Sequence, residues 1–258
     1  MKIYIRSNNL TDIQQKQAME CIDVLSSKGH ECSVSGHTSK LLYGDDSHYL
    51  FSPAACDLII SLGGDGALLS AAKTAIEADK PLLGINSGRR GYLCAMSYSD
   101  LPRFNELYEK CGISERSLLC FEHEGREYDA VNDIVVSKSD FGKTVDLHVS
   151  IEGQEEFEVR GDGVILCTPT GSTAYNLSAS GPRLDVKADV FAVTPICAHD
   201  KNIYSRVISD ERKIRVFVNH ENAMIYCDGE FICDTDSEAV FERSKRKLKL
   251  CLNKDWKD

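Results

Sequence analysis

The chain has 258 residues and a formal net charge of −10. That length suits one large domain or two modest ones, and the acidic balance argues against a general nucleic-acid binder, which needs a basic face. Hydrophobic residues at 42% and charged residues at 27% describe an ordinary soluble globular protein, and no run of about 18 apolar residues predicts a membrane span.

The N-terminal MKIYIRSNNL is too short in its apolar part for a signal peptide and reads as a strand over residues 2–7. Thr11 and Gln14 form a capping box for the next helix. Ile13, Gln17–Ala18, Cys21–Ile22 and Leu25 recur near helical spacing, and Gly29 stands where that helix would stop. Residues 31–35 predict a short strand. Residues 40–51 show no clear period and read as a loop. DLIISL, residues 57–62, is a short apolar strand of the buried parallel kind. It runs into GGDG and then into the helical ALLSAAKTAIEA, and Pro81 opens the strand LLGIN. Strand–helix–strand alternation with apolar strands predicts a parallel sheet.

The period then changes. Val145, Leu147, Val149 and Ile151 alternate at spacing two, as do KIRVFV and MIYCDGEFI, and Asp228–Gly229 between apolar runs signals a hairpin turn. An α/β domain is therefore followed by a largely antiparallel β domain, with the join near residues 100–118 around the helical LPRFNELYEK. Leu248, Leu250 and Leu252 suit a final strand, and the basic run Lys245–Lys249 reads as a solvated face. The eleven cysteines are scattered. They show no CxxC or HExxH spacing, which leaves a zinc site without support. They read as small buried hydrophobes in a reduced, cytoplasmic setting.

Four stretches carry candidate chemistry. In GGDG, Gly63, Gly64 and Gly66 allow a tight turn and close backbone approach of a ligand. Asp65 stands near a helix N-terminus, where its charge is favoured. No GK[ST] follows, so this is not a Walker A loop. On these four letters alone, Asp65 reads equally as a helix N-cap. In RGDGVILCTPTGSTAYNLSASGP, residues 160–182, an apolar strand enters a loop crowded with hydroxyls. There Tyr175 offers a flat face for stacking on a base; the plain alternative is a Ser/Thr-rich surface loop. In PLLGINSGRRGYL, residues 81–93, Arg89 and Arg90 lie at the C-terminal edge of the sheet, where ligands of open α/β sheets collect. They read either as phosphate contacts or as two solvated arginines. In VNDIVVS, Asn132 and Asp133 precede an apolar run, which alone is ordinary turn chemistry.

Taken in order, GGDG after a strand, GINSGRRGYL, NDIVVS, DGVILCTPTGSTAYNLSASGP and TPICAHDKNIYSRVIS resemble the NAD kinase family over roughly residues 57–230. TPTGSTAY is highly specific. GGDG is shared with diacylglycerol, sphingosine and phosphofructo-kinase relatives. The resemblance implies a Rossmann-like α/β domain over 1–115 and a C-terminal NAD-binding β-sandwich domain over 116–258, with the chain end returning to the first domain. It implies transfer of the γ-phosphoryl of ATP, or of another donor, to the 2′-hydroxyl of the NAD adenosine ribose, giving NADP, with Mg²⁺ or another divalent metal. Asp65 matches the catalytic aspartate. Gly66 would approach the NAD backbone, Asn132 and Asp133 would hold adenosine, and Arg160 and Asp162 would meet the dinucleotide. Thr173, Ala174, Tyr175, Asn176 and Ser178 would line the adenine pocket, and Lys143 would meet phosphate. Homodimers or homotetramers are implied, and neither nucleic acid nor membrane is an expected partner.

Two departures stand out. The family usually has NLGxLGFL where this chain has NSGRRGYL, placing Arg90 at an apolar position. It commonly has Asn-Glu where this chain has Asn132–Asp133, one methylene shorter. Two rivals are weaker. A lipid-type kinase of the GGDG group would need an apolar acceptor cleft, and TPTGSTAY argues against it. A non-catalytic dinucleotide sensor would be signalled by loss of the GGDG aspartate, which is retained.

Overall fold

The computed structural model describes residues 1–6, 11–88, 91–219 and 222–253. The chain divides into two units: residues 1–115 together with those from 248 onward, and residues 116–247.

The first unit is built on parallel pairing. Strand β1 (Lys2–Arg6) is followed by helix α1 (Asp12–Ser27), β2 (Glu31–Val34), α2 (Gly36–Tyr43), β3 (Leu58–Leu62), α3 (Asp65–Ala78), β4 (Leu82–Asn86), the short β5 (Met96–Ser97) and α4 (Phe104–Glu109). β1 pairs in parallel with β2 and β3, β3 with β4, and β4 with β5. All five residues of β3 and of β4 are buried, as expected for strands covered on both faces. The Thr11–Gln14 capping box is present. From α1, Ala18, Cys21, Ile22 and Leu25 enter the core, but Ile13 remains 71% exposed, because the first turn extends past the apolar cluster.

α2 corrects the loop expected over residues 40–51 only at 40–43; residues 44–51 carry no helix or strand. Ser35 caps the helix by accepting the Thr38 N–H, and Gly44 closes it in the left-handed conformation. Two turns are too short for a period, and the residues they bury are the polar Thr38 and Ser39, so no apolar stripe marked them. Ser7, given to the first strand, and Arg89 and Arg90 lie outside the described residues.

The second unit is antiparallel. It contains β6 (Cys111–His123, whose first residues belong to the first unit), β7 (Arg126–Ala130), β8 (Asp133–Lys138), β9 (Val145–Ile151), β10 (Phe157–Gly161), β11 (Gly163–Cys167) and the short helix α5 (Tyr175–Ser178). Then come β12 (Val190–Ile196), β13 (Arg206–Ser209), β14 (Ile214–Val218), β15 (Ala223–Cys227), β16 (Glu230–Thr235) and β17 (Glu238–Asn253). One sheet contains the run β10-β9-β14-β17 and the β6–β7 hairpin; the other has the order β13-β12-β11-β8-β15-β16. The alternating Val145, Leu147, Val149 and Ile151 are all buried, as are Ile214 and Val216. They share a core with Ile134 and Val136 of β8, Val164 and Leu166 of β11, and Phe191 and Val193 of β12. The two sheets thus face each other across one apolar layer, a sandwich. Asp228 and Gly229 both have positive φ and make the expected tight turn between β15 and β16.

β17 serves both units. Its first residues pair antiparallel with β14, and Leu250 pairs in parallel with Leu82 of β4. Leu248, Leu250, Cys251 and Leu252 are buried. Every cysteine is a free thiol, and all but Cys111 and Cys197 are buried. No helix among the described residues is long and apolar enough to cross a membrane.

Leu250→Ala should remove a fully buried side chain from the first unit and lower stability by about 2–5 kcal/mol. Urea unfolding followed by circular dichroism checks this, and a midpoint equal to that of the parent would contradict it.

Candidate active site

GGDG and its aspartate belong to the first unit. β3 delivers the chain to Gly63, whose φ is +140°. Helix α3 starts at Asp65 with Gly64 as its N-cap and without a side-chain cap bond. This corrects the N-cap reading: Asp65 is the first helical residue, and its carboxylate is engaged elsewhere. Oδ2 accepts the Tyr92 N–H at 2.9 Å and Oδ1 accepts the Leu93 N–H at 3.1 Å. The side chain is half-buried, while Gly66 beside it is exposed. Beneath the turn, the buried Cys94 thiol donates to the Gly63 carbonyl, and burial, assisted by Asp65, pushes that thiol up to about 12. Gly63, Gly64, Asp65 and Gly66 therefore form a turn whose acid points along the underside of residues 91–93.

The remaining sequence-selected residues lie in the second unit, around the face of the β8–β11–β12 sheet that points away from the sandwich core. Val135, Ile165, Cys167, Ala192 and Ile196 form an apolar floor there, with Ala179, Leu184 and Tyr226 packed against it. Asp133 opens β8 opposite Cys167 and is 5% exposed. Burial, and next the neighbouring Asp228, raise its carboxyl to about 7. A carboxyl raised in this way holds its proton to higher pH than an exposed one, and the protonated form can donate a hydrogen bond as well as accept one.

Asn132 and Asp133 are held from two sides. On one side, the Asp228 carboxylate accepts the N–H groups of Val131, Asn132 and Asp133 at 2.8, 2.7 and 3.2 Å. On the other stands the TPTG turn. The Thr168 hydroxyl donates to the Val131 carbonyl and accepts the Gly171 N–H, and the Thr168 N–H donates to the Asn132 carbonyl at 2.9 Å. A Cβ at Gly171 would collide with the Asn132 backbone, so the glycine is required by close approach.

In the loop that follows, Tyr175 is 47% exposed, and Thr173 and Ser178 are also exposed, with Ala174 half-buried. Burial is the main influence raising the Tyr175 phenol; the charges of Cys197, Asp162 and Asp133 follow. Those groups are therefore its neighbours. Asn176 is placed differently from a pocket-lining residue. It is fully buried, its amide donates to the carbonyls of Ser172 and Pro182, and its carbonyl accepts the Thr194 hydroxyl. Asn176 braces the loop from inside.

Arg160, Asp162 and Lys143 line an open cleft of about 470 Å³ together with Lys138, Phe141 and Thr144. Lys138 and Asp162 form an ion pair at 2.6 Å, Arg160 lies 3.4 Å from Asp146, and Lys143 lies 3.7 Å from Asp140. The cations are mostly exposed and each has an acidic neighbour. Three contributors escaped the sequence reading. Asp228 was legible only as a turn residue. Thr168 stood in a quoted stretch without a signal of its partners, and Lys138 lies one residue beyond VNDIVVS.

The chain resembles known proteins throughout this framework. Residues 2–111 match the ATP-NAD kinase N-terminal domain, and residues 131–251 match the ATP-NAD kinase C-terminal domain. An NAD kinase of Caldicellulosiruptor bescii is 38% identical over 199 residues, covering 75% of this chain and 76% of that protein. One of Sulfurimonas denitrificans is 30% identical over 251 residues, covering 94% and 88%. The crystal structure of an NAD kinase from Archaeoglobus fulgidus in complex with ATP aligns with a TM-score of 0.81 at 25% identity, over 99% of this chain and 95% of that one. Yeast NADH kinase complexed with NADH shares the fold, with a TM-score of 0.85 at 21% identity over 99% and 84%. Both domains in tandem, relatives matched over most of their length and a common fold agree: the chain belongs to the ATP-NAD kinase family and is an enzyme with NAD kinase activity.

Proposed function

We propose that the enzyme transfers the γ-phosphoryl group of ATP to the 2′-hydroxyl of the NAD adenosine ribose, with Asp65 as the group that takes the hydroxyl proton. The observation that carries this reading is the Asp65 carboxylate, half-buried and oriented by two backbone amides. As the ribose oxygen bonds to phosphorus, its proton passes to Asp65 and the bond from phosphorus to the ADP oxygen breaks. The transition state of such transfers is loose, so positioning and charge neutralisation outweigh base strength.

Gly63, Gly64 and Gly66 let phosphates approach the turn, with Arg89 and Arg90 as the cations assigned to them. Mg²⁺ would arrive with the nucleotide. Among the described residues no group of three or more His, Cys, Asp or Glu side chains could cage a metal, and Mg²⁺ usually takes one or two carboxylates plus substrate phosphates. Asp65 fits as that carboxylate, and the ion would offset the phosphate charge. Asn132, Asp133, Thr173, Ala174, Tyr175 and Ser178 are assigned to adenosine, with Asn176 supporting their loop. Arg160, Asp162 and Lys143 are assigned to the rest of the dinucleotide. A homodimer or homotetramer, which sedimentation would measure, and a cytoplasmic location complete the proposal; the free thiols fit a reducing compartment.

Asp65→Asn should slow turnover by roughly 10²–10⁴-fold while leaving the KM for NAD largely intact. Steady-state NADP formation from NAD, ATP and Mg²⁺ tests it, and near-parental turnover would remove Asp65 from the mechanism. Tyr175→Ala should raise the KM for NAD more than that for ATP; an unchanged NAD KM in a two-substrate titration would refute stacking.

Asp133 makes a pH-dependent prediction. Its folded-state pKa of about 7 lies well above the ordinary carboxylate range. The folded protein therefore keeps a proton that the unfolded chain gives up, and stability falls as pH rises across that window. Asp133→Asn removes this loss. The melting temperature of the variant relative to the parent should rise by roughly 5 °C or more between pH 4.5 and pH 8. A difference that does not change with pH would contradict the burial argument.

A further inference from the structure

We propose that Gly91 is a positioning residue for phosphoryl transfer: its missing side chain makes the space in which the Tyr92 and Leu93 amides hold the Asp65 carboxylate. The inference rests on the proposed role of Asp65 and adds to it the part of the chain that aims the acid.

Gly91 sits directly against the carboxylate. A Cβ built on it would lie 3.1 Å from Asp65 Cγ and 3.4 Å from Oδ2, and would overlap Oδ1. No other atom is among its three nearest within 4 Å. The carboxylate thus accounts for a glycine at this position. The two amides that follow bond to the two carboxylate oxygens separately. Together they fix both the position and the twist of the group. Each oxygen keeps a further lone pair for a substrate proton. The segment is itself anchored, because the Ala95 N–H donates to the Gly84 carbonyl at 3.0 Å and the Cys94 thiol donates to Gly63.

An added methyl group must displace either the carboxylate or the amides. Misplacement of a reacting group by about 1 Å can cost on the order of 10²-fold in rate. Gly91→Ala should therefore lower kcat by roughly ten- to hundredfold and leave the KM for NAD within about twofold. A Gly91 that merely supported the fold would not produce that split.

The test compares purified parent, Gly91→Ala, Asp65→Asn and the double variant in NADP formation from NAD, ATP and Mg²⁺. If Gly91 acts through Asp65, the double variant is no more than about twofold slower than Asp65→Asn. Parental kcat in Gly91→Ala, or costs that multiply in the double variant, would overturn the inference while leaving Asp65 in its role. Near-parental turnover in Asp65→Asn would instead overturn the role of Asp65, and this inference with it. Amide hydrogen exchange gives a readout that does not depend on Gly91→Ala folding. Exchange at Tyr92 and Leu93 should speed up at least tenfold in Asp65→Ala, and unchanged exchange at both would refute the proposed contacts.

Discussion

The second unit depends on one carboxylate in the turn between β15 and β16. Asp228, at the tip of a tight hairpin, collects three consecutive backbone N–H groups at the start of β8. Hydrogen bonds to a charged group contribute about 1.5–3 kcal/mol each, and here they also fix a direction. With residues 131–133 pinned, Thr168 and Gly171 can close on them from the other side. The hydroxyl-rich loop then starts from a rigid turn, and Asn176 and Thr194 tie its far end to β12. The proximity of Asp228 also contributes to the raised pKa of Asp133. One half-buried anion thus shapes the loop and adds to the burial that raises its neighbour's proton affinity.

The first unit uses the same device in reverse. There the backbone serves the acid: two amides of an adjacent loop hold Asp65 in place. An isolated acid at the first position of a helix is favoured by the helix end but free to rotate. The Tyr92 and Leu93 contacts remove that freedom, and a glycine is needed for them to reach. The GINSGRRGYL stretch, read as a phosphate loop, therefore has a second task on the side facing the helix.

Much of this was legible in the sequence. The parallel strands announced themselves as unbroken apolar runs, and the sandwich by strict alternation at 145–151. The motif order was specific enough to name a family. What escaped the sequence depends on partners far apart in the chain. The Asp228 contacts span nearly a hundred residues, and those of Asp65 span almost thirty; no local pattern encodes either. Asn176 was assigned to a pocket by its place in the family's TPTGSTAYNLSASGP stretch, where its neighbours are exposed. Its own burial depends on Thr194, eighteen positions away. α2 was missed for the opposite reason: its buried residues are polar, so periodicity had nothing to register.

The long strand β17 bears on how the protein is made. Domains tend to fold in order as the chain emerges, and the first unit has most of its residues early. Yet the strand that pairs beside Leu82 is translated only after the entire second unit. Until then the outer side of β4 is covered only by the short β5 at Ile85 and Asn86, and the rest is an open sheet edge that invites mispairing. Completion of the earlier-made unit is thereby deferred until translation reaches Leu248, and a nascent chain stalled before that point would be the species most in need of a chaperone.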